Sequence, residues 1–100
     1  MAAMADRFSY PRPNLIVSSD GFSVEVRGRN TVLYAETDKT IEVFAEQVVI
    51  DEPTIIVRRA DIRVWQARGR EIAVSESERE RVLANIRSAF DWKGWKLAVE

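Results

Sequence analysis

Short segments in which apolar and polar residues alternate occupy much of the chain after residue 14. The alternation is clearest in residues 22–27 and 31–36, and turn sequences containing Gly, Asn or Asp separate the segments. A period of two residues is typical of strands with one buried face, and short turns join antiparallel neighbours. The pattern predicts an antiparallel β-meander of five to seven strands. The candidate strands are residues 15–17, 22–27, 31–36, 41–46, 54–58, 61–66 and 95–99, with 48–50 either continuing the fourth or starting a new one.

The period changes to that of a helix after Gly69. Ser75 and Glu78 have the spacing of a capping box, in which each side chain bonds the backbone N–H of the other residue. Gly94 is suited to end the helix in a left-handed conformation. The apolar stripe of this helix consists of Val82, Leu83, Ile86, Ala89 and Phe90. The sequence therefore predicts an α+β domain, with a meander packed by one C-terminal helix and followed by a short final strand.

The first residues of the chain have no such periodicity. Pro11 and Pro13 favour an extended backbone and interrupt any regular pattern. We therefore predict a flexible N-terminal arm over residues 1–13 and a single α+β domain over residues 14–100.

The predicted sheet has more apolar surface than one helix can cover. Large apolar residues occur in both phases of the same strands. One phase contains Val32, Val43, Ile55 and Val64, and the other contains Leu33, Phe44, Ile56 and Trp65. Either the meander curls into a half-barrel, or two subunits pair through the bare face as a homodimer, or that face docks another partner. We expect Trp65 itself to lie in the core, as tryptophan on a strand facing a helix commonly does.

The chain has 100 residues and contains neither cysteine nor histidine. Without a thiol or an imidazole it has no disulfide, no thiolate or histidine metal site and no Ser-His-Asp triad. Single glycines provide no phosphate-binding loop. We therefore expect a protein that is not an enzyme and needs no cofactor or metal.

The net charge is only −1, so no overall field attracts nucleic acid or a membrane. Apolar runs such as residues 48–50 are far shorter than the roughly 20 residues that span a bilayer. Residues 1–7 lack the apolar stretch of a secretory signal. The expected location is the cytoplasm, without membrane contact.

Charge is unevenly distributed along the chain. Residues 36–52 contain six acids and one lysine, whereas residues 58–70 contain five arginines and one acid. The simpler interpretation is that the two sets pair across neighbouring strands. The alternative is a small nucleic-acid-associated domain, in which arginines hold phosphates and Trp65 stacks a base. Its candidate binding residues are Arg58, Arg59, Arg63 and Arg68.

The C-terminal part of the chain carries a recognisable series of segments. They are DIRVW at residues 61–65, Gly69, EIAVS at 71–75, ERERVLANI at 78–86 and Gly94. This series resembles the Immunity protein 74 family of bacterial polymorphic toxin systems, in which a strand ending in tryptophan leads to a capped helix and a terminal strand. The similarity covers residues 61–100, with a looser match from Ile16 onward. It departs from the family at residues 67–68, where acidic or proline-rich residues would be expected.

The resemblance implies an α+β binding protein that is made beside a toxin and neutralises it by occlusion, without a cofactor or catalytic residue. Proteins that block a basic toxin commonly place acids around an apolar anchor, since charge steers the encounter and the anchor holds the complex. Our hypothetical partner-binding residues are Glu36, Glu42, Phe44 and Glu46.

Overall fold

The computed structural model describes residues 7–49 and 51–100. Within these residues the chain forms nine strands, one α-helix and a short 3-10 helix, Arg59–Asp61. The strands are β1 Phe8–Arg12, β2 Leu15–Ser18, β3 Phe22–Arg27, β4 Thr31–Glu36, β5 Lys39–Val49, β6 Pro53–Val57, β7 Val64–Ala67, β8 Arg70–Ala73 and β9 Lys96–Val99. The helix, α1, is Glu76–Lys93. The predicted α+β class is confirmed, with one helix following the meander and a short strand closing the chain.

The sheet has the order β1-β2-β3-β4-β5-β6-β9, and the β7–β8 hairpin joins it through β5. Neighbours along the path are antiparallel except β6 and β9, which are parallel. The sheet is therefore mixed, and its nine strands exceed the predicted five to seven. The parallel pair arises because α1 carries the chain back across the sheet before β9 begins, as a parallel crossover requires.

The long strand β5 determines how the sheet curls. Its first residues, Lys39 and Thr40, pair with β4 on one edge and with β7 on the other. Its last five residues pair with β6 instead. One continuous strand thus serves two groups of neighbours, and the sheet wraps around α1.

Two strands were not predicted, and the first lies in the expected arm. The prediction of a flexible arm is wrong for Phe8–Arg12, because these residues form β1 and pair with β2. Residues 1–6 of the predicted arm lie outside the described residues. Phe8 is buried and its ring centroid lies 5.6 Å from that of Trp92 on α1. Tyr10 packs edge-on against Trp95. These contacts join distant parts of the chain, so local periodicity gives no sign of them.

The second unpredicted strand, β8, follows a tight turn at Arg68 and Gly69. Both residues have positive φ, 51° and 78°, which is the conformation of a two-residue type I′ hairpin turn. Glycine adopts it without strain, whereas arginine in that region is uncommon. β8 was missed because its four residues are too few for a clear alternation.

The helix agrees closely with its prediction. The Ser75 hydroxyl accepts the N–H of Glu78 at 3.2 Å, and the Glu78 carboxylate accepts the N–H of Ser75 at 2.8 Å. Gly94 ends the helix with a φ of 84°. The buried residues of α1 are the five of the predicted stripe. No helix in residues 7–49 and 51–100 is both long and apolar enough to cross a membrane.

The concave face of the sheet and the stripe of α1 enclose the core. Val24, Val32 and Val43 are fully buried there, as is Phe90 from the helix. Trp65 is 1% exposed, which confirms its core position and corrects its assignment to the same phase as Leu33 and Phe44. It faces inward because β7 pairs with β5 in the register that sets Gln66 opposite Thr40, which places Trp65 in the same phase as the buried Ile41.

The capping carboxylate gives the fold a predictable pH dependence. The Ser75 N–H holds the pKa of Glu78 below its ordinary value, and the Lys39 ammonium, 3.8 Å away, acts in the same direction. A carboxylate whose pKa is lower in the folded state stabilises the fold above its unfolded pKa. That stabilisation is lost as pH falls through the folded pKa.

We expect Glu78→Gln, which keeps an acceptor for Ser75 but removes the charge, to lower the free energy of unfolding by about 0.5–1 kcal/mol near neutral pH. The difference should vanish as pH falls below the folded pKa of Glu78, where both the glutamate and the substituted glutamine are neutral. Urea unfolding of the two proteins followed by circular dichroism across this range measures it. A difference that does not change with pH would contradict the prediction.

Candidate partner-binding face

The sheet surface turned away from α1, called the outer face here, exposes an aromatic residue at its centre. Phe44 on β5 is 46% exposed, and Glu42 and Glu46, two residues away on either side, are exposed as well. All three lie on one face because alternate strand residues point the same way. Their neighbours Val43 and Ala45 are buried beneath. Three of the four predicted partner-binding residues are therefore brought together.

Strand register places two more apolar side chains beside them. Leu33 on β4 lies opposite Glu42, and Ile56 on β6 lies opposite Glu46. Both are half-buried. Opposed residues on neighbouring strands have Cβ atoms about 5 Å apart, so these side chains form one surface. We call it the outer patch: Leu33, Glu42, Phe44, Glu46 and Ile56.

The acids of the outer patch differ in their partners. The Glu46 carboxylate lies 3.1 Å from the Arg58 guanidinium, and both side chains are about half exposed. Exposed pairs of this kind contribute little to stability. Glu42 makes no ion pair within the described part of the chain. The patch therefore retains negative charge beside an exposed aromatic ring.

A third acid, Glu25, borders the patch from β3, where it lies opposite Leu33. Its carboxylate is 2.9 Å from Arg12 and 3.1 Å from Arg27. The hydrogen bond from Arg12 is the main cause that holds the pKa of Glu25 below its ordinary value. This acid is already neutralised by two arginines, so it adds little free charge to the outer face.

The fourth predicted residue, Glu36, does not belong to the outer patch. It lies in the inward phase of β4, and its two carboxylate oxygens accept hydrogen bonds from Arg81 of α1 at 3.0 and 2.8 Å. It also accepts the Tyr34 hydroxyl, which in turn accepts a hydrogen bond from Asn85. Burial and the neighbouring Glu36 both raise the pKa of Tyr34. Glu36 therefore joins the sheet to the helix and lies apart from the other three predicted partner-binding residues.

The candidate nucleic-acid arginines are distributed among acidic partners. Arg58 pairs with Glu46 and Glu100, and Arg68 lies 3.3 Å from Asp38. Arg59 pairs with Glu80 of α1. The acidic and basic sets therefore pair with each other in part, as the simpler interpretation expected.

Arg63, the fourth arginine, lies in an open depression of about 410 Å³ that adjoins the outer patch. Glu42, Asp61, Arg63, Val64 and Gln66 line it. Local sequence pattern gives no sign of this depression because it forms between residue 42 and residues 61–66, which are about 20 positions apart along the chain. Two acids share it with the arginine, so it is not a basic groove. No group of three or more potential metal-ligating side chains occurs among residues 7–49 and 51–100.

The different roles of Glu36 and Glu42 can be separated by the same substitution. Glu36→Gln removes the negative charge to which Arg81 and the Tyr34 hydroxyl donate. A buried hydrogen bond to a charged group contributes about 1.5–3 kcal/mol to the free energy of unfolding. Because Arg81 is half exposed, we expect a loss of about 1–2 kcal/mol in the free energy of unfolding. Glu42→Gln, the matched control, should change it by less than about 0.5 kcal/mol. Chemical denaturation measures both, and equal losses would contradict these assignments.

Comparison of the chain with family models, with curated proteins and with solved structures found no match. The resemblance to the Immunity protein 74 family therefore stays a prediction from the sequence. The outer patch is the structural feature from which a function can be argued.

Proposed function

We propose that this chain is a non-enzymatic binding protein of the bacterial cytoplasm, an immunity protein that neutralises a cognate toxin by covering its active surface. The observation that supports the proposal is the position of Phe44, an exposed aromatic side chain between two exposed carboxylates on the central strand. An apolar anchor surrounded by acids suits a partner with a basic surface.

The sheet supports such a contact because its backbone is already ordered. β5 is paired along its whole length with β4, β6 or β7, so the outer patch does not have to fold when a partner binds. Binding then loses less conformational entropy than binding by a loop. Phe44 keeps about half of its surface available for burial, and Leu33 and Ile56 extend the apolar area on either side.

The carboxylates around Phe44 have a different role in binding from that of the aromatic ring. Glu42 and Glu46 attract a positively charged partner over a distance, which raises the association rate. The contact made by Phe44 is short-ranged and acts after docking, so it determines how slowly the complex dissociates. The two kinds of side chain therefore predict different kinetic defects.

The test uses the toxin domain encoded beside this chain, with binding followed by surface plasmon resonance at low salt. We expect the double variant Glu42→Lys/Glu46→Lys to lower the association rate constant at least tenfold, because both attractive charges become repulsive. Phe44→Ala should mainly raise the dissociation rate, by about tenfold or more, since a buried aromatic anchor contributes about 2 kcal/mol.

The matched control is Glu80→Lys/Asp91→Lys, which makes the same charge change on exposed positions of α1. It should leave association within about twofold of the wild type, since both positions lie on α1 and not on the outer face of the sheet. Equal slowing by both double variants would show that only net charge matters, and tight binding by all variants would remove the outer patch from the proposed function.

A further inference from the structure

We propose that β8 is the edge at which two copies of this chain associate, by antiparallel pairing of β8 with β8 of the second copy. This interface is separate from the outer patch and does not depend on the proposed toxin binding. Within the described residues β8 pairs only with β7, so its other edge has no strand beside it. All four of its residues are exposed.

The backbone groups at this edge are directed outward at alternate residues. Val74 donates its N–H to the Arg63 carbonyl at 2.8 Å, so residues 63 and 74 form a hydrogen-bonded pair. Hydrogen-bonded and non-bonded pairs alternate along an antiparallel ladder. In the observed register the pairs Gln66–Glu71 and Val64–Ala73 are therefore non-hydrogen-bonded. Glu71 and Ala73 direct their backbone N–H and C=O groups away from β7.

A two-fold axis can pair these groups with a second copy in only a few registers, because each outward residue must face another outward residue. Centring the axis at Glu71 sets this acid opposite itself, which is unfavourable. Centring it at Ala73 sets Glu71 opposite Ser75 of the second copy. The Ser75 N–H is not free to bond there, because it already donates to the Glu78 carboxylate at 2.8 Å. The remaining register centres the axis at Ile72. Glu71 of each copy then exchanges two backbone hydrogen bonds with Ala73 of the other.

The side chain at this axis supports the same register. Ile72 is 50% exposed, although it lies opposite Trp65 on the inward face of the hairpin. In the dimer it meets its own copy as a non-hydrogen-bonded pair, the kind in which side chains approach most closely. Gln66 donates to the Glu71 carboxylate at 3.0 Å and holds that charge over β7. An exposed apolar side chain thus becomes covered by a second copy.

The other free edges offer less to a second copy. β1 contains Pro11, and its pairing with β2 shifts between Ser9 and Arg12. β9 begins with Lys96, whose ammonium pairs with Glu52 at 2.6 Å. Prolines, irregular pairing and lysines are among the features by which edge strands avoid pairing. None of these three occurs within β8, although its four residues include the charged Arg70 and Glu71.

The first experiment measures the mass of the full-length chain by sedimentation equilibrium, from about 1 μM to about 1 mM. We expect a reversible dimer. Ala73→Pro removes two of the four intermolecular hydrogen bonds but none within the hairpin, since the Ala73 N–H points outward. It should weaken association at least tenfold. Ala73→Val, which keeps the N–H, is the matched control and should retain the dimer. A monomeric wild type, or association unchanged by Ala73→Pro, would overturn the proposal.

The second experiment uses the absence of cysteine from the chain. Ile72→Cys should form an intermolecular disulfide under mild oxidation, because paired residues at the axis have Cα atoms at a distance that suits this bond. Phe44→Cys at the centre of the outer patch is the matched control, since it would form the disulfide if the copies met face to face. Faster crosslinking of Phe44→Cys than of Ile72→Cys would overturn the edge interface.

Discussion

The contact between the apolar stripe of α1 and the concave face of the sheet is the interaction on which the rest of the structure depends. It buries Val82, Ile86 and Phe90 completely against strands from both ends of the path. The same helix fixes polar groups of the sheet, because Arg81 binds the Glu36 carboxylate and Asn85 binds the Tyr34 hydroxyl. The sheet curls because β5 pairs with β4 and β7 over its first residues and with β6 over its last five. The helix α1 fills the space that the curled sheet encloses.

One helix can cover only one face of a sheet, so the residues on the opposite face stay at the surface. Leu33, Phe44 and Ile56 occupy the phase that α1 cannot reach, and all three stay partly exposed. An exposed apolar surface with acids at its border is more typical of an interaction site than of a surface that only faces water. The proposed function follows from this limit of the fold.

The parts of the fold that could be predicted from sequence are those specified by local pattern. β3 and β4 have the predicted bounds, and the capping box and stripe of α1 are confirmed because each depends on residues within a few positions. β1 depends on aromatic contacts with Trp92 and Trp95, more than 80 positions away, and could not be predicted in this way. The candidate site likewise has residues that local pattern places correctly and one that a distant contact positions. Alternation on β5 correctly grouped Glu42, Phe44 and Glu46, whereas the position of Glu36 depends on Arg81, 45 residues further along.

The proposed dimer and the proposed binding face are compatible for a geometric reason. Antiparallel pairing that sets Ile72 opposite Ile72 has its two-fold axis perpendicular to the sheet, so the inward faces of both copies lie on one side. The outer faces then lie together on the other side, and neither outer patch is covered by the edge contact. Each copy remains free to bind a partner through Phe44. Association through the outer faces would bury those same side chains, so a face-to-face dimer would compete with partner binding whereas an edge dimer would not.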